Sequence, residues 1–477
     1  MKSNKAKKNL RKEIYIVAIM FTLLFIAMII YMGLFVQKGS KDFIYNSYNS
    51  RFSVFSDEVT RGNIYSFDGH VIAKTSKNEA NEQVRLYPDD RLFSHAIGYV
   101  GKGMAGIEAA YSFDLLKSHI SLDKQIENTL SGKKSPGDNL YTTFDYEAQK
   151  AAYDGMDLFD GAVIAIEPTT GKVIAMVSKP DYNPNTIAEK WDAITDEESQ
   201  KSVLLNRATQ GAYPPGSTFK IVTTIAYLRD NNGSDSFDYS CNGSLTIDDY
   251  KIHCSSNEKH GKEDLLKAFS NSCNSAYAYI GINLDIDTFA DTASSLYFNT
   301  DLPAEVGLTK ASVFDINKSS KESIIGQTAI GQGRTTVSPL HMCMLASAIA
   351  NDGVLMKPYY VDRIVSAEGE KVMENTPISL GNIISHKEAV LLNEYMESVV
   401  LDGTAKKVDF GDLKVYGKTG TAEYSDNKDL THSWFVGYAS DEQGNKLAVA
   451  VIMERAGYGS KYAAPLAAKV FEAYFNK

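Results

Sequence analysis

Tyr213-Pro214-Pro215-Gly216-Ser217-Thr218-Phe219-Lys220 sets two prolines and a glycine directly ahead of an apolar pattern at Phe219, Ile221, Val222, Ile225, Ala226 and Leu228. Proline and glycine break any preceding helix, and the spacing predicts a new one over residues 220–229, which puts Ser217 at a helix N-terminus. Free backbone N–H groups and the positive end of the helix dipole favour an oxyanion there, and position i+3 lies on the same face one turn away. Lys220 is therefore expected to reach the Ser217 hydroxyl. A lysine acts as a base only when neutral, a state that burial or a second nearby cation favours. Serine three residues before lysine also fits an ordinary N-cap with a snorkelling surface lysine, so the remaining residues have to separate the two readings.

Two further elements do so. Ser270-Asn271-Ser272-Cys273-Asn274 falls in a stretch expected to be helical over 265–282, and Lys418-Thr419-Gly420-Thr421 falls in a strand expected over 414–423. Ser-x-x-Lys, Ser-x-Asn and Lys-Thr-Gly in that order form the signature of the penicillin-recognising serine acyltransferases. Each residue has a task in such chemistry. Ser217 is the nucleophile and Lys220 its base; Ser272 relays a proton between Lys220 and the leaving amine, and Asn274 offers its amide to the substrate backbone. Lys418 supplies a cation for a substrate carboxylate, helped by the Thr419 and Thr421 hydroxyls, while Gly420 lets an extended peptide lie close along the strand. The backbone N–H groups of Ser217 and Thr421 would form the oxyanion hole. Gly417-Lys418-Thr419 is not a phosphate loop, since that motif needs glycine where Asp412 stands.

Outward from these motifs, apolar runs at 161–166 and 172–177, joined by Glu167-Pro168-Thr169-Thr170-Gly171, predict a hairpin of buried strands. Strands are also expected at 414–423, 433–438 and 446–454, and helices at 339–351 and 463–475. Strands at both ends with helices between predict an α+β domain, an antiparallel sheet packed with a helical cluster. Residues 38–137 are polar and irregular, with turns such as Arg61-Gly62-Asn63 and short strand-like pieces at 63–65 and 71–73. Residues 133–138 read as a linker. The expected division is a basic tail at 1–13, an anchor at 14–36, a small mostly-β pedestal at 37–138 and the catalytic domain at 139–477.

The anchor follows from an uncharged apolar run of 23 residues at 14–36, enough to cross a bilayer as a helix, behind Lys2, Lys5, Lys7, Lys8, Arg11 and Lys12. Those cations place the N-terminus in the cytoplasm and everything after Gln37 outside, as a single-pass protein of the cell membrane. The run is too long for a signal peptide and no small-residue cleavage site follows it. The 477 residues carry a net charge of −10; without the tail's six cations and one anion the remainder stands at −15, a field that excludes nucleic acid as a partner.

Taken together, the sequence resembles a class B penicillin-binding protein, a peptidoglycan D,D-transpeptidase, along almost the whole chain. Asn206-Arg207-Ala208, Gly331-Gln332-Gly333 with Val337-Ser338-Pro339, Lys418 to Glu423 and His432-Ser433-Trp434-Phe435-Val436-Gly437 all carry the likeness. So do Arg61-Gly62-Asn63-Ile64-Tyr65, Asp68-Gly69, Ala96-Ile97-Gly98-Tyr99 and Gly106-Ile107-Glu108, which are similar to the pedestal of that class. A class A member would need a glycosyltransferase domain far larger than the roughly 100 residues between anchor and catalytic domain. With nothing after the final helix, the chain resembles the short members. The resemblance implies that peptidoglycan stem peptides acylate Ser217 with release of D-alanine, that β-lactams acylate the same serine, and that no cofactor takes part in catalysis. It also implies a partner, a polytopic membrane glycosyltransferase of the shape, elongation, division and sporulation group. A β-lactamase or D,D-carboxypeptidase would share the acylation residues; a non-catalytic scaffold or β-lactam sensor is the competitor from another class, and a scaffold would have no physical need for Lys220 or Lys418.

Cys241, Cys254, His260 and Cys273 fall within 33 residues. Three thiolates and an imidazole make a closed tetrahedral zinc set, pinning the loop after the nucleophile helix onto the Ser-x-Asn segment. Outside the membrane, a Cys241–Cys254 disulfide and free thiols are the other two readings. His253 is an alternate ligand, and Cys343 a core residue.

Overall fold

Five strands build the core: β1 (Gly161–Ile166), β2 (Val173–Lys179) and β5 (Lys446–Met453) carry apolar runs with hardly a break, while β3 (Lys414–Glu423) and β4 (Thr431–Ser440) mix apolar with small and polar residues. Such runs belong to strands covered on both faces. In the computed structural model, which describes residues 2–38, 58–196, 202–305, 307, 309–423 and 431–476, they form one antiparallel sheet in the order β2-β1-β5-β4-β3. Edge strand β3 is paired on one side only.

Both faces are buried. Ile164, Ile166, Trp434, Val436, Ala450 and Ile452 face a helical cluster. Val163, Ala165, Phe435, Val449 and Val451 face a second layer that the sequence reading did not contain, made by the helices Tyr146–Gly155 and Ala463–Phe475. The helical cluster includes Lys220–Asp230 (α1), Leu265–Ser270 (α2), Asn274–Asn283 (α3), Pro339–Ala350 (α4) and His386–Leu401 (α5). α4 is buried along its whole length against β1, β4 and β5, which explains why its apolar pattern has no polar face.

The helix expected over 265–282 is two helices. α2 ends at Ser270 and α3 begins at Asn274, with Ser272 in the left-handed region at φ 56°. Ser272 N–H donates to Phe269 O at 3.1 Å and Cys273 N–H to Ala268 O at 2.9 Å, the two bonds of a Schellman cap. Serine occupies the position that glycine usually takes there.

The N-terminal helix Lys2–Lys38 contains an exposed apolar stretch, Ile14–Leu34, long enough to cross a membrane. The first part of the polar stretch, residues 39–57, lies outside the described residues. From Val59 onward, short strands and four short helices follow. Ile64–Tyr65, Val71–Lys77 and Gln83–Leu86 enter a six-stranded sheet with Asn139–Thr142, Val361–Val365 and Lys371–Glu374. This sheet takes strands from both sides of residue 138. The expected linker at 133–138 is also structured: Ser135–Pro136 pairs with Val59–Thr60, and Gly137 N–H donates to Thr60 O at 2.8 Å.

Candidate active site

The turn that carries Ser217 is built on two glycines. Gly216 has φ 53° and donates its N–H to Gly331 O at 2.9 Å, while a Cβ on Gly331 would stand 2.0 Å from Gly216 O. Nothing larger than glycine fits at 331. Residues Gly216–Phe219 make a single 3-10 turn that runs into α1 at Lys220. Ser217 lies in the first turn, where its N–H has no intrahelical acceptor, as an oxyanion donor requires. Pro214 is fixed from the sheet side by Trp434, whose Nε1 donates to Pro214 O at 3.0 Å.

Lys220 is completely buried. Its Nζ donates to Ser272 O at 2.7 Å, Ser272 Oγ at 3.1 Å and Asn274 Oδ1 at 2.8 Å. The left-handed turn at Ser272 is thus what aims both oxygens of that residue at the amine. Burial, which penalises the ammonium, pushes the Lys220 amine down to about 8. Ser-x-x-Lys and Ser-x-Asn, 55 residues apart in sequence from Ser217 to Ser272, meet at one nitrogen.

Three expectations change. Lys418, expected to pair directly with a substrate carboxylate, is buried, with Nζ 3.2 Å from Thr419 O and 5.6 Å from the centre of the Phe269 ring. Burial and the charge of Lys220 hold its amine well below the ordinary lysine range. It lies beneath the strand and does not face the solvent. Asn274, expected to offer its amide to substrate, uses one of its two Nδ2 hydrogens on His253 O at 2.9 Å. Gly420 is glycine for a different reason: a Cβ there would meet Thr218 Cγ2 and Trp434 Cβ, each at 3.0 Å. The close approach is to the nucleophile turn.

Thr419 and Thr421 remain on the edge strand beside that turn. Thr419 Oγ1 lies 2.6 Å from Thr404 Oγ1, and Thr404 N–H donates to Ser270 O at 3.3 Å. Thr404 and Gly331 in this positioning role escaped the sequence reading. The glycine of Gly331-Gln332-Gly333 was visible as part of a family pattern, whereas nothing local marks Thr404, because its partner lies across the fold.

Cys241, Cys254, His260 and Cys273 converge, with their ligand atoms all within 4.8 Å of one another. Every cysteine is a free thiol, so the Cys241–Cys254 disulfide is not formed. The Cys241–Cys254 and Cys254–Cys273 sulfur separations are 3.6 and 3.8 Å, and Cys241 Sγ to His260 Nδ1 is 3.4 Å. A tetrahedral ion with Zn–S of about 2.3 Å needs sulfur separations of about 3.8 Å, so the donor set fits. Hydrogen bonding with Cys254, reinforced by Cys241, pushes the His260 imidazole up to about 9. Cys343 sits in α4 as a buried core residue, and His253 is engaged with Asn257 Oδ1 at 2.6 Å, away from the cluster.

A three-layer α+β domain with a serine turn, a buried lysine and an edge strand at one point has the architecture of the penicillin-recognising serine acyltransferases. The family model for the penicillin binding protein transpeptidase domain matches residues 161–472, and that for the penicillin binding protein A dimerisation domain matches residues 61–140. The chain belongs to the penicillin-binding protein transpeptidase family. It is 29% identical over 414 residues to the peptidoglycan D,D-transpeptidase PbpA of Mycolicibacterium smegmatis, covering 80% of this chain and 82% of that one. It is also 29% identical over 448 residues to the peptidoglycan D,D-transpeptidase MrdA of Acinetobacter baumannii, covering 82% and 66%. A structure of penicillin-binding protein A from M. tuberculosis as its ceftriaxone acyl-enzyme complex superposes with a TM-score of 0.80 at 25% identity, covering 89% of this chain and all of that one. The D,D-transpeptidase domain from Eggerthella lenta gives 0.78 at 28% identity, covering 88% and 99%.

Proposed function

We propose that this chain is a membrane-anchored peptidoglycan D,D-transpeptidase with Ser217 as nucleophile. Neutral Lys220 takes the Ser217 proton as Oγ attacks the penultimate D-alanyl carbonyl of a stem peptide. The N–H groups of Ser217 and Thr421 hold the oxyanion, and Ser272 passes the proton from Lys220 to the departing D-alanine amine. The amine of a neighbouring stem then takes the acyl group, returning its proton along the same path and freeing Ser217. Thr419, Gly420 and Thr421 on the β3 edge receive the extended peptide, with Lys418 beneath the strand, and Asn274 holds Lys220 in place. β-Lactams acylate Ser217 in the same way. The observation that carries this reading is the convergence of Ser272 and Asn274 on a buried Lys220 one turn from Ser217.

Incubating the full chain in detergent with a fluorescent penicillin tests it: wild type should carry a lasting covalent label, and Ser217→Ala none. Rapid loss of label would mean a β-lactamase, and no label on a folded wild type a scaffold.

The same reading extends to the rest of the chain. The basic tail 1–13 stays in the cytoplasm, 14–36 spans the membrane, and pedestal 37–138 and transpeptidase domain 139–477 lie outside, where anchor and pedestal contact a polytopic membrane glycosyltransferase. Cys241, Cys254, His260 and Cys273 hold a structural zinc. Its chemistry is to tie the thiolates together, and it takes no part in acyl transfer. The full chain should purify with about one zinc per molecule, and stripping it with chelator should lower the Tm by at least about 5 °C. Absence of metal together with an unchanged Tm would sink this part.

A further inference from the structure

Glu263 is a buried carboxylate whose charge acts on the catalytic lysine, and the acyl-transfer steps above do not use it. It ends the strand Gly261–Glu263, which pairs with Tyr239–Cys241, and only 1% of its surface is exposed. Oε1 accepts one hydrogen bond, from Asn271 Nδ2 at 3.1 Å, and Oε2 is buried with no partner. A carboxylate held so poorly is costly to bury, and apolar replacement would relieve that cost if nothing depended on it.

What depends on it is the cap at the end of α2. Asn271 is the last residue before Ser272 and the only side chain of the cap that Glu263 grips. Ser272 stands in the left-handed region without the glycine that would make this conformation easy. If the cap relaxes, the carbonyl and hydroxyl of Ser272 leave Lys220. Burial pushes the Glu263 carboxyl up.

We propose that Glu263 is a positioning residue for acylation: through Asn271 it holds the Ser272 turn in the left-handed conformation that presents both Ser272 oxygens to Lys220. This rests on the reading of Ser217 and Lys220 given above. It differs from a merely structural role in what it moves, because a displaced Ser272 slows bond formation at Ser217 while leaving the peptide-binding edge of β3 as it was.

The test resolves the reaction of the full chain with fluorescent penicillin into non-covalent affinity and first-order acylation. Asn271 is exposed, so Asn271→Ala should fold. It should lower the acylation rate constant roughly 10- to 100-fold, with affinity unchanged to within about threefold. Glu263→Ala should do the same, the double variant should lose no more than either single one, and Glu263→Gln, which keeps an acceptor for Asn271, should restore most of the rate. Wild-type acylation by Asn271→Ala would overturn the proposal, as would losses in affinity alone, or single effects that multiply in the double variant. If Glu263→Ala does not fold, Asn271→Ala decides by itself. No label on the wild type would overturn the transpeptidase reading and this proposal with it, an outcome distinct from labelled variants that keep the wild-type rate.

Discussion

A lysine with no exposed surface holds its proton far less tightly than one in water, and at Lys220 that loss is what makes a base. Its pKa, pushed down to about 8 chiefly by burial, leaves roughly a tenth of the amines neutral at pH 7 and nine tenths at pH 9. Only the neutral form accepts the Ser217 proton. The first-order acylation rate constant should therefore rise roughly tenfold from pH 7 to pH 9 with a midpoint near pH 8, and flatten above it. A rate constant that stayed flat across that range would remove Lys220 from the role of base. Three short motifs in fixed order single out Ser217, Lys220, Ser272, Asn274, Lys418, Thr419 and Thr421 in the sequence, and the structure brings Ser272 and Asn274 to Lys220. The partners of those residues were not legible there. That Asn274 turns its amide to His253 O, and that Lys418 lies beneath its strand, depends on packing between segments with no local signature.

Elements show the same divide. Strands β1, β2 and β5 were readable as apolar runs, and the helix after Ser217 was announced by Pro214, Pro215 and Gly216. The break between α2 and α3 was not, since the usual marker of a helix end is glycine and this cap has Ser272. The contact of the nucleophile turn with the loop around Gly331 joins segments more than 100 residues apart, and it makes a sharp prediction. Gly331 and Gly333 share φ 76°, yet a Cβ on Gly331 would stand 2.0 Å from Gly216 O, whereas one on Gly333 would find its nearest neighbour, Gln327 Cβ, at 3.8 Å. Alanine at either position carries the left-handed strain, about 1 kcal/mol. Only at 331 must the turn bearing Ser217 also move. Gly331→Ala should slow acylation by roughly 100-fold, while Gly333→Ala should lower the Tm slightly and acylate at close to the wild-type rate. Equal rates in the two variants would show that this contact does not place the serine.

At the scale of the whole molecule, pedestal and catalytic domain are joined by more than a linker. Val361–Val365 and Lys371–Glu374 complete a sheet whose other members lie before residue 143, an arrangement the sequence could not reveal because its strands are two to seven residues long and the pairing of Arg363 with Tyr141 spans 222 positions. A buried cluster locks the pedestal end of this sheet. Glu108, fully buried, accepts from Arg61 Nε at 2.7 Å and Arg85 Nε at 2.6 Å, and Arg85 reaches on to Gly62 O at 2.7 Å. Burial alone would raise the Glu108 carboxyl, but the two guanidiniums outweigh it and hold the group below its ordinary value. Glu108→Ala leaves both cations buried without a counter-charge, which should cost about 3–5 kcal/mol. If the shared sheet couples the two parts, that loss reaches Ser217, although it lies in the other domain. Heating the full chain and sampling penicillin labelling should then show the label failing in the same transition as the fold, and both should move to lower temperature in Glu108→Ala. Two separate transitions, with labelling untouched by the substitution, would mean that the borrowed strands join the domains without making them one cooperative unit.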